Sequence, residues 1–221
     1  MTSQHYDIVI VGGALVGQAL ALHLSDLNLS IAIIEPRLFP KEKPDINRDK
    51  ALAMNASSVT FFQTLGLWES LKPYAQPIKR VHVSEKGAFS QVILNADEIG
   101  LDALGQLIPE AALSHVLLSQ VESAVTWFRP NKVTQIEKTD SGFKVILEDD
   151  TTLTTDLLVG ADGAKSKVRE ALNITATETQ TDHLAIVCRI DLEGDPNKPP
   201  LSALQTVAHS PCYPLHRHAA L

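Results

Sequence analysis

The clearest hydrophobic pattern in the chain lies in residues 6–35, YDIVIVGGALVGQALALHLSDLNLSIAIIE. A β-branched apolar run, a glycine turn, a stretch of helical period and a second apolar run ending in a carboxylate is the order of a nucleotide-binding βαβ unit. Val16, Leu20, Leu24 and Leu27 recur at helical spacing and are expected to form the buried face of the helix. Further on, Val59, Phe62 and Leu65 predict a helix capped by Ser57 or Ser58 and ended by Gly66, with Trp68 and Leu71 as core. Between residues 79 and 94 the period falls to two. Val81 and Val83 then face Val92 and Leu94 across Gly87, which predicts a β-hairpin interrupting the nucleotide-domain pattern.

Helical spacing returns after Pro109, with Leu113, Val116, Leu117 and Val121 as the apolar face. Three short strands are expected over residues 125–128, 132–139 and 143–147, the last two joined by the turn Asp140, Ser141, Gly142. They predict a β-meander laid over the first sheet. A further short strand over 156–160 runs into Ala161, Asp162 and Gly163, and a helix opens at about Ser166 with Val168 and Leu172 on one face. The pattern therefore predicts an α/β fold: a Rossmann-like domain at residues 1–75 and 95–178, and part of a β-rich domain at 76–94 and 179–221.

The glycine turn carries the first candidate chemistry. Gly12 lets the chain leave the first strand in a tight turn, and Gly17 lets the helix lie close to the sheet. Gly13, Ala14, Leu15 and Val16 lie between them, at the helix N-terminus, where unpaired N–H groups and the positive dipole end suit a pyrophosphate. The second glycine of the G-x-G-x-x-G pattern falls on Ala14, whose methyl narrows the approach of phosphates. Glu35, 18 residues after Gly17, stands where a carboxylate accepts hydrogen bonds from a ribose diol. The motif leaves NAD and FAD both open, and a carboxylate at 35 argues against an NADP 2′-phosphate although Arg37 stands close by. Asp162 and Gly163, between a strand end and a helix start, can reach a ligand along the sheet edge.

Composition narrows the partners. The 221 residues carry 26 acidic and 19 basic side chains, a formal charge of −7, without the clustered Lys/Arg that a nucleic acid requires. Cys188 and Cys212 form no C-x-x-C pair and fit a reducing compartment. The first apolar run lacks the basic flank of a signal peptide, so the expectation is a cytoplasmic protein without a membrane span. His209, His216 and His218 lie close in sequence but lack Cys or carboxylate partners, and no metal is expected there.

Taken together, Gly12 to Gly17 with Glu35, Leu104-Gly105-Gln106 before a helix, and Gly160-Ala161-Asp162-Gly163 with Ser166, Val168 and Arg169 resemble the flavin-dependent aromatic hydroxylases of the para-hydroxybenzoate hydroxylase class. The branch resembled is that of the ubiquinone-biosynthesis hydroxylases, through residues 50–71, 81–89 and 183–192 as well. The resemblance implies an FAD-binding domain whose glycine turn and Glu35 hold pyrophosphate and ribose. Gln106 would face the ribityl chain and the backbone near Val133 the adenine. Asp162 and Gly163 would serve the flavin and the docking of NAD(P)H, with Ser166 and Arg169 supporting that loop. Lys50 stands where the class has arginine, and Arg48 is its expected substitute. The implied reaction is hydroxylation of a phenol, prenylated in this branch, by NAD(P)H and oxygen, with loose association to the inner membrane or to partner enzymes. No side chain stands out as a catalytic base. The later Gly-Asp motif of the class is not reached, since Gly194-Asp195 sits in a proline-bearing loop, so the resemblance implies a missing C-terminal part. It also implies weak flavin binding by these 221 residues alone. A flavin reductase or dehydrogenase, or a non-catalytic FAD-binding piece, are the alternatives on the same scaffold.

Overall fold

The computed structural model describes residues 3–39, 50–84 and 91–179. The chain divides into two compact units, Met1–Thr175 and Ala176–Leu221, and the architecture below is that of the first. Its centre is a six-stranded mixed sheet in the order β8-β2-β1-β11-β10-β9. The strands are β1 (Gln4–Val11), β2 (Ile31–Ile34), β8 (Thr126–Phe128), β9 (Val133–Thr139), β10 (Gly142–Leu147) and β11 (Thr152–Gly160). β8, β2, β1 and β11 run parallel, while β10 is antiparallel to both β11 and β9.

The two unbroken apolar runs are the central strands because both of their faces are covered. Val9, Val11, Ala32 and Ile34 point to one side, against Val145, Leu153 and Val168. Ile8, Ile10, Ile31 and Ile33 point to the other, against Ala21 and Val121 of the helices α1 (Leu15–Leu24) and α4 (Glu110–Val121). A second, three-stranded sheet has β7 (Gly105–Pro109) between β3 (Ala51–Asn55) and β4 (Gln76–Ile78). Helices α2 (Ala56–Thr64) and α3 (Trp68–Leu71) share a core with it, made of Met54, Phe62, Leu71, Ile108, Leu113, Val116 and Leu117. The period-two stretch forms β5 (Arg80–Ser84) and β6 (Gln91–Asn95), paired Val81 to Leu94 and Val83 to Val92 as a sheet of their own. The turn around Gly87 lies outside the described residues. The last helix, α5 (Lys167–Ala171), follows β11.

Several expectations are corrected. Val16 is 71% and Leu27 60% exposed; the buried positions of α1 are Gly17, Gln18 and Ala21. The helix has no single apolar face, because Leu20 and Leu24 pack on the sheet while Leu15, Ala19 and Leu22 pack on the second core. The cap of α2 is Asn55, whose side chain accepts from Ser58 N at 2.8 Å, rather than either serine. The meander does not lie over the first sheet: β9, β10 and β11 extend it edge to edge, and β8 closes its other side. β11 starts at Thr152, earlier than the pattern indicates, and Leu172 is exposed. The segment 183–192, both cysteines and the C-terminal histidines lie outside the described residues.

At the N-terminal end of β1, the Asp7 carboxylate accepts from Ser30 Oγ and Ser30 N, each at 2.6 Å, and these bonds lower its pKa. A depressed carboxylate adds stability that is present above its unfolded pKa and lost as pH falls through the folded one. Ser30→Ala is therefore expected to cost more at pH 7 than at pH 3. Urea midpoints of both proteins at the two pH values check it; equal differences would show that the ionised Asp7 carboxylate gains nothing from the Ser30 hydroxyl.

Candidate functional site

The glycine turn forms where β1 ends, and each glycine has a distinct steric reason. Gly12 has φ +104°, and a Cβ there would fall on the Ala161 carbonyl. A Cβ on Gly17 would fall on the carbonyl of Gly12, and one on Gly13 would meet the Trp127 ring and the Glu35 Cβ. The turn is tied to its surroundings by Gly12 N donating to Ile34 O at 2.9 Å and by Ala161 N donating to Val11 O at 2.7 Å. The two motifs separated by 150 residues of sequence, Gly12 and Asp162, are thus backbone neighbours across the β1–β11 pair.

Helix α1 begins with Ala14 as its N-cap, without a side-chain cap and without an acid in its first turn. The N–H groups of Leu15, Val16 and Gly17 have no acceptor among the described residues. Ala14 and Leu15 open onto a cleft of about 230 Å³ that is also lined by Arg37, Phe39, Glu110 and Ser114. Uncompensated donors, a positive dipole end and an arginine around one cleft suit an anionic ligand. Val16 lies in the same uncapped first turn and is exposed.

Glu35 is 3% exposed and already bonded within the chain. Its Oε2 accepts from Gly13 N at 2.8 Å, and its Oε1 accepts from Arg37 N at 3.1 Å and Arg37 Nε at 2.9 Å. A carboxylate offers about four acceptor sites, so capacity for a ribose hydroxyl remains on Oε2. Beside it, the Arg129 guanidinium stacks 4.4 Å from the Trp127 ring centroid and 5.4 Å from that of Phe39, and Nη2 pairs with Glu122.

On the other loop, Asp162 Oδ2 accepts from Lys167 N at 2.6 Å and from Val168 N at 3.3 Å, while Oδ1 is buried without a partner. Gly163 adopts φ +82° with open space around it. Ser166 caps α5 by accepting from Arg169 N at 3.0 Å, and Arg169 Nη2 donates to Ala164 O at 2.6 Å, so both residues brace the loop.

The structure therefore brings together Gly12, Gly13, Ala14, Leu15, Val16, Gly17, Glu35, Arg37, Asp162 and Gly163. Lys50 is tied to Glu110, which lines the cleft: its Nζ is 2.7 Å from Glu110 Oε2, and its carbonyl accepts from Glu110 N. Gln106 is on the second sheet, opposite Met54 and Pro77. Val133 opens β9, paired with Leu147, and Arg48 lies outside the described residues. Sequence reasoning missed Gln18, Phe39, Trp127 and Arg129. Gln18 had a signal, a polar residue inside the apolar run LVGQALALHL; the aromatic stack depends on a non-local approach that no spacing reveals. A group of potential metal ligands, His5, Asp7 and Asp156, sits at the far end of β1, exposed or half-buried, with Asp7 engaged by Ser30.

A glycine turn between parallel strands, opening a helix and facing a second Asp-Gly loop, defines a dinucleotide-binding protein. Residues 5–210 match the family described as FAD binding domain, and the chain belongs to that family. It is 29% identical over 203 residues to the 3-demethoxyubiquinol 3-hydroxylase of Escherichia coli, covering 89% of this chain and 51% of that protein. It is 30% identical over 193 residues to the ubiquinone hydroxylase UbiL of Rhodospirillum rubrum, covering 85% and 44%. The chain spans about half the length of these relatives. Its fold is that of the OxyS anhydrotetracycline hydroxylase from Streptomyces rimosus, with TM-score 0.67 and 22% identity over 81% of this chain and 36% of that one. PqsL from Pseudomonas aeruginosa is similar at TM-score 0.66 and 20% identity, over 81% and 48%.

Two features of this chain fit FAD: the uncapped N-terminus of α1 over a cleft, and the unpartnered, buried Asp162 Oδ1 in the loop against Gly12. No helix among the described residues is long and apolar enough to cross a membrane.

Proposed function

We infer that the chain supplies the FAD-binding side of a flavin-dependent monooxygenase that uses NAD(P)H and oxygen to hydroxylate a phenolic ring, one bearing a polyprenyl tail in ubiquinone biosynthesis. The observation that carries it is the direct apposition of the glycine turn and the Asp162 loop, two ligand-facing segments with no room for a side chain between them. The first-turn amides of α1 hold the pyrophosphate, with Arg37 adding charge at the cleft and Lys50 and Arg48 as further cofactor-binding cations. Glu35 takes a ribose hydroxyl, the backbone at Val133 the adenine edge, and Gln106 the ribityl chain. Asp162 and Gly163 meet the flavin end and the docking nicotinamide. FAD, when bound, supplies the electron transfer and oxygen activation. The chain's own part is to orient the cofactor and keep water from it. Residues 76–94 and 179–221 contribute to the substrate domain, where the phenol is positioned.

Labelled oxygen tests the reaction. With FAD, NAD(P)H and a prenylated phenol, the expected product carries one oxygen atom derived from O₂. Oxidation of NAD(P)H with no label in the phenol would instead identify a reductase on the same scaffold.

A further inference from the structure

We propose that Gln18 is a positioning residue of the phosphate seat: its side chain holds the Gly13–Ala14 peptide with the Ala14 N–H turned toward the ligand cleft. The proposal rests on the FAD reading of the glycine turn given above. Gln18 is fully buried, one residue after Gly17 in an otherwise apolar run of helix. Its Nε2 donates to the Gly13 carbonyl at 2.7 Å, while its Oε1 is buried with no donor. A buried amide with half its capacity unmet is less stable than an apolar side chain of the same shape. Packing alone therefore does not account for it.

What the bond accomplishes follows from peptide planarity. In a trans peptide the C=O and the N–H of one unit point in opposite directions. A Gly13 carbonyl turned inward to Gln18 turns the Ala14 N–H outward, and Ala14 lines the cleft. That N–H has no acceptor among the described residues. On its other side Gly13 is held by its own N–H, which donates to Glu35, so both peptides flanking the glycine are fixed by side chains. Glycine otherwise has wide conformational freedom. Without Gln18, the Gly13 carbonyl loses its donor, and a flipped peptide would present that oxygen's partial negative charge to the diphosphate.

Gln18→Met, similar in shape and lacking a donor, tests this in the full chain. Binding of FAD, ADP and adenosine is measured by calorimetry or competition, together with the Tm of the ligand-free protein. Expected are a loss of about tenfold in FAD and ADP affinity, unchanged adenosine affinity, and a Tm lowered by a few degrees at most, because the Gly13 carbonyl loses its donor while the unmet Oε1 is removed. A larger fall in Tm with equal weakening of all three ligands would mean that Gln18 is only structural and would overturn the proposal. The wild type gives a check that needs no variant: Ala14 amide exchange should be fast in the free chain and slow once ADP is added. Protection already present in the free chain would overturn the proposal. If the wild type binds ADP no more tightly than adenosine, the phosphate seat itself fails and the FAD assignment of this turn fails with it. If the ADP preference is present and survives in Gln18→Met, only the role of Gln18 is lost.

Discussion

Gly17→Val is expected to abolish measurable FAD binding and to lower the Tm by roughly 6–12 °C, the equivalent of about 3 kcal/mol in a chain of this size. The Cβ at position 17 falls on the Gly12 carbonyl, which is backbone and is held in place from both sides. Gly12 N is bonded to Ile34 O, and Ala161, bonded to Val11 O, packs against the Gly12 Cα. Relief therefore requires α1 to move off the sheet. That shift breaks the packing of Ile10 and Ala21, both fully buried, and carries the first-turn amides out of register with the phosphates. A matched control is Gly66→Ala. Gly66 also has a positive φ, +70°, but nothing lies within 4 Å of the added Cβ. Only the left-handed strain remains, about 1 kcal/mol, and FAD binding should be unaffected. FAD titrations and melting curves of the two variants beside the wild type decide the matter; a Gly17→Val protein with the wild-type FAD affinity and Tm would show that helix and strand have slack here.

What the sequence disclosed and what it hid divide along local and non-local lines. The strand–turn–helix–strand order, Gly12 and Gly17, the hairpin pairing of Val81 with Leu94, and the apolar face of α4 all follow from patterns within a few residues, and the structure has them. Val16 was misplaced because α1 is apolar on nearly all sides, so spacing could not choose a face. Asn55 displaced the two serines as cap because Asn55, Ser57 and Ser58, within four positions, all satisfy the same rule. The meander could extend the first sheet or cover it with one and the same alternation, since the choice lies in which distant strand supplies the register. Glu35 was legible as an acid at the end of β2, but not its bond to Gly13 N, and Lys50 was not legible as the partner of Glu110. Residue types were read correctly where the backbone imposes them and incompletely where a distant side chain does.

The second large effect is expected at Glu35, because one buried carboxylate has two tasks. Its Oε2 satisfies Gly13 N inside the turn, and its Oε1 takes the backbone and Nε of Arg37. Glu35→Gln preserves size but replaces one acceptor oxygen by an NH₂ group. If the amide oxygen faces Gly13, the NH₂ opposes the Arg37 donors. If it faces Arg37, the NH₂ opposes Gly13 N–H in a buried site. The Arg37 side chain is 67% exposed, so water can replace its bond at little cost; the first arrangement is therefore favoured, and the Gly13 bond persists without charge assistance. Loss of that assistance is worth about 1–2 kcal/mol, a Tm decrease of roughly 2–8 °C. Glu35→Ala removes the acceptor altogether and leaves Gly13 N unsatisfied, at a cost of about 2–3 kcal/mol. FAD affinity should fall in the same order, by about tenfold for glutamine, whose neutral oxygen is a weaker acceptor for the ribose hydroxyl, and by on the order of a hundredfold for alanine, where that hydroxyl loses its acceptor while the turn loosens. Affinity for inorganic pyrophosphate separates the two tasks. It should be retained by Glu35→Gln, whose turn is intact, and reduced in Glu35→Ala. Equal pyrophosphate binding by both variants would show that the carboxylate serves the ribose alone and does not organise the turn.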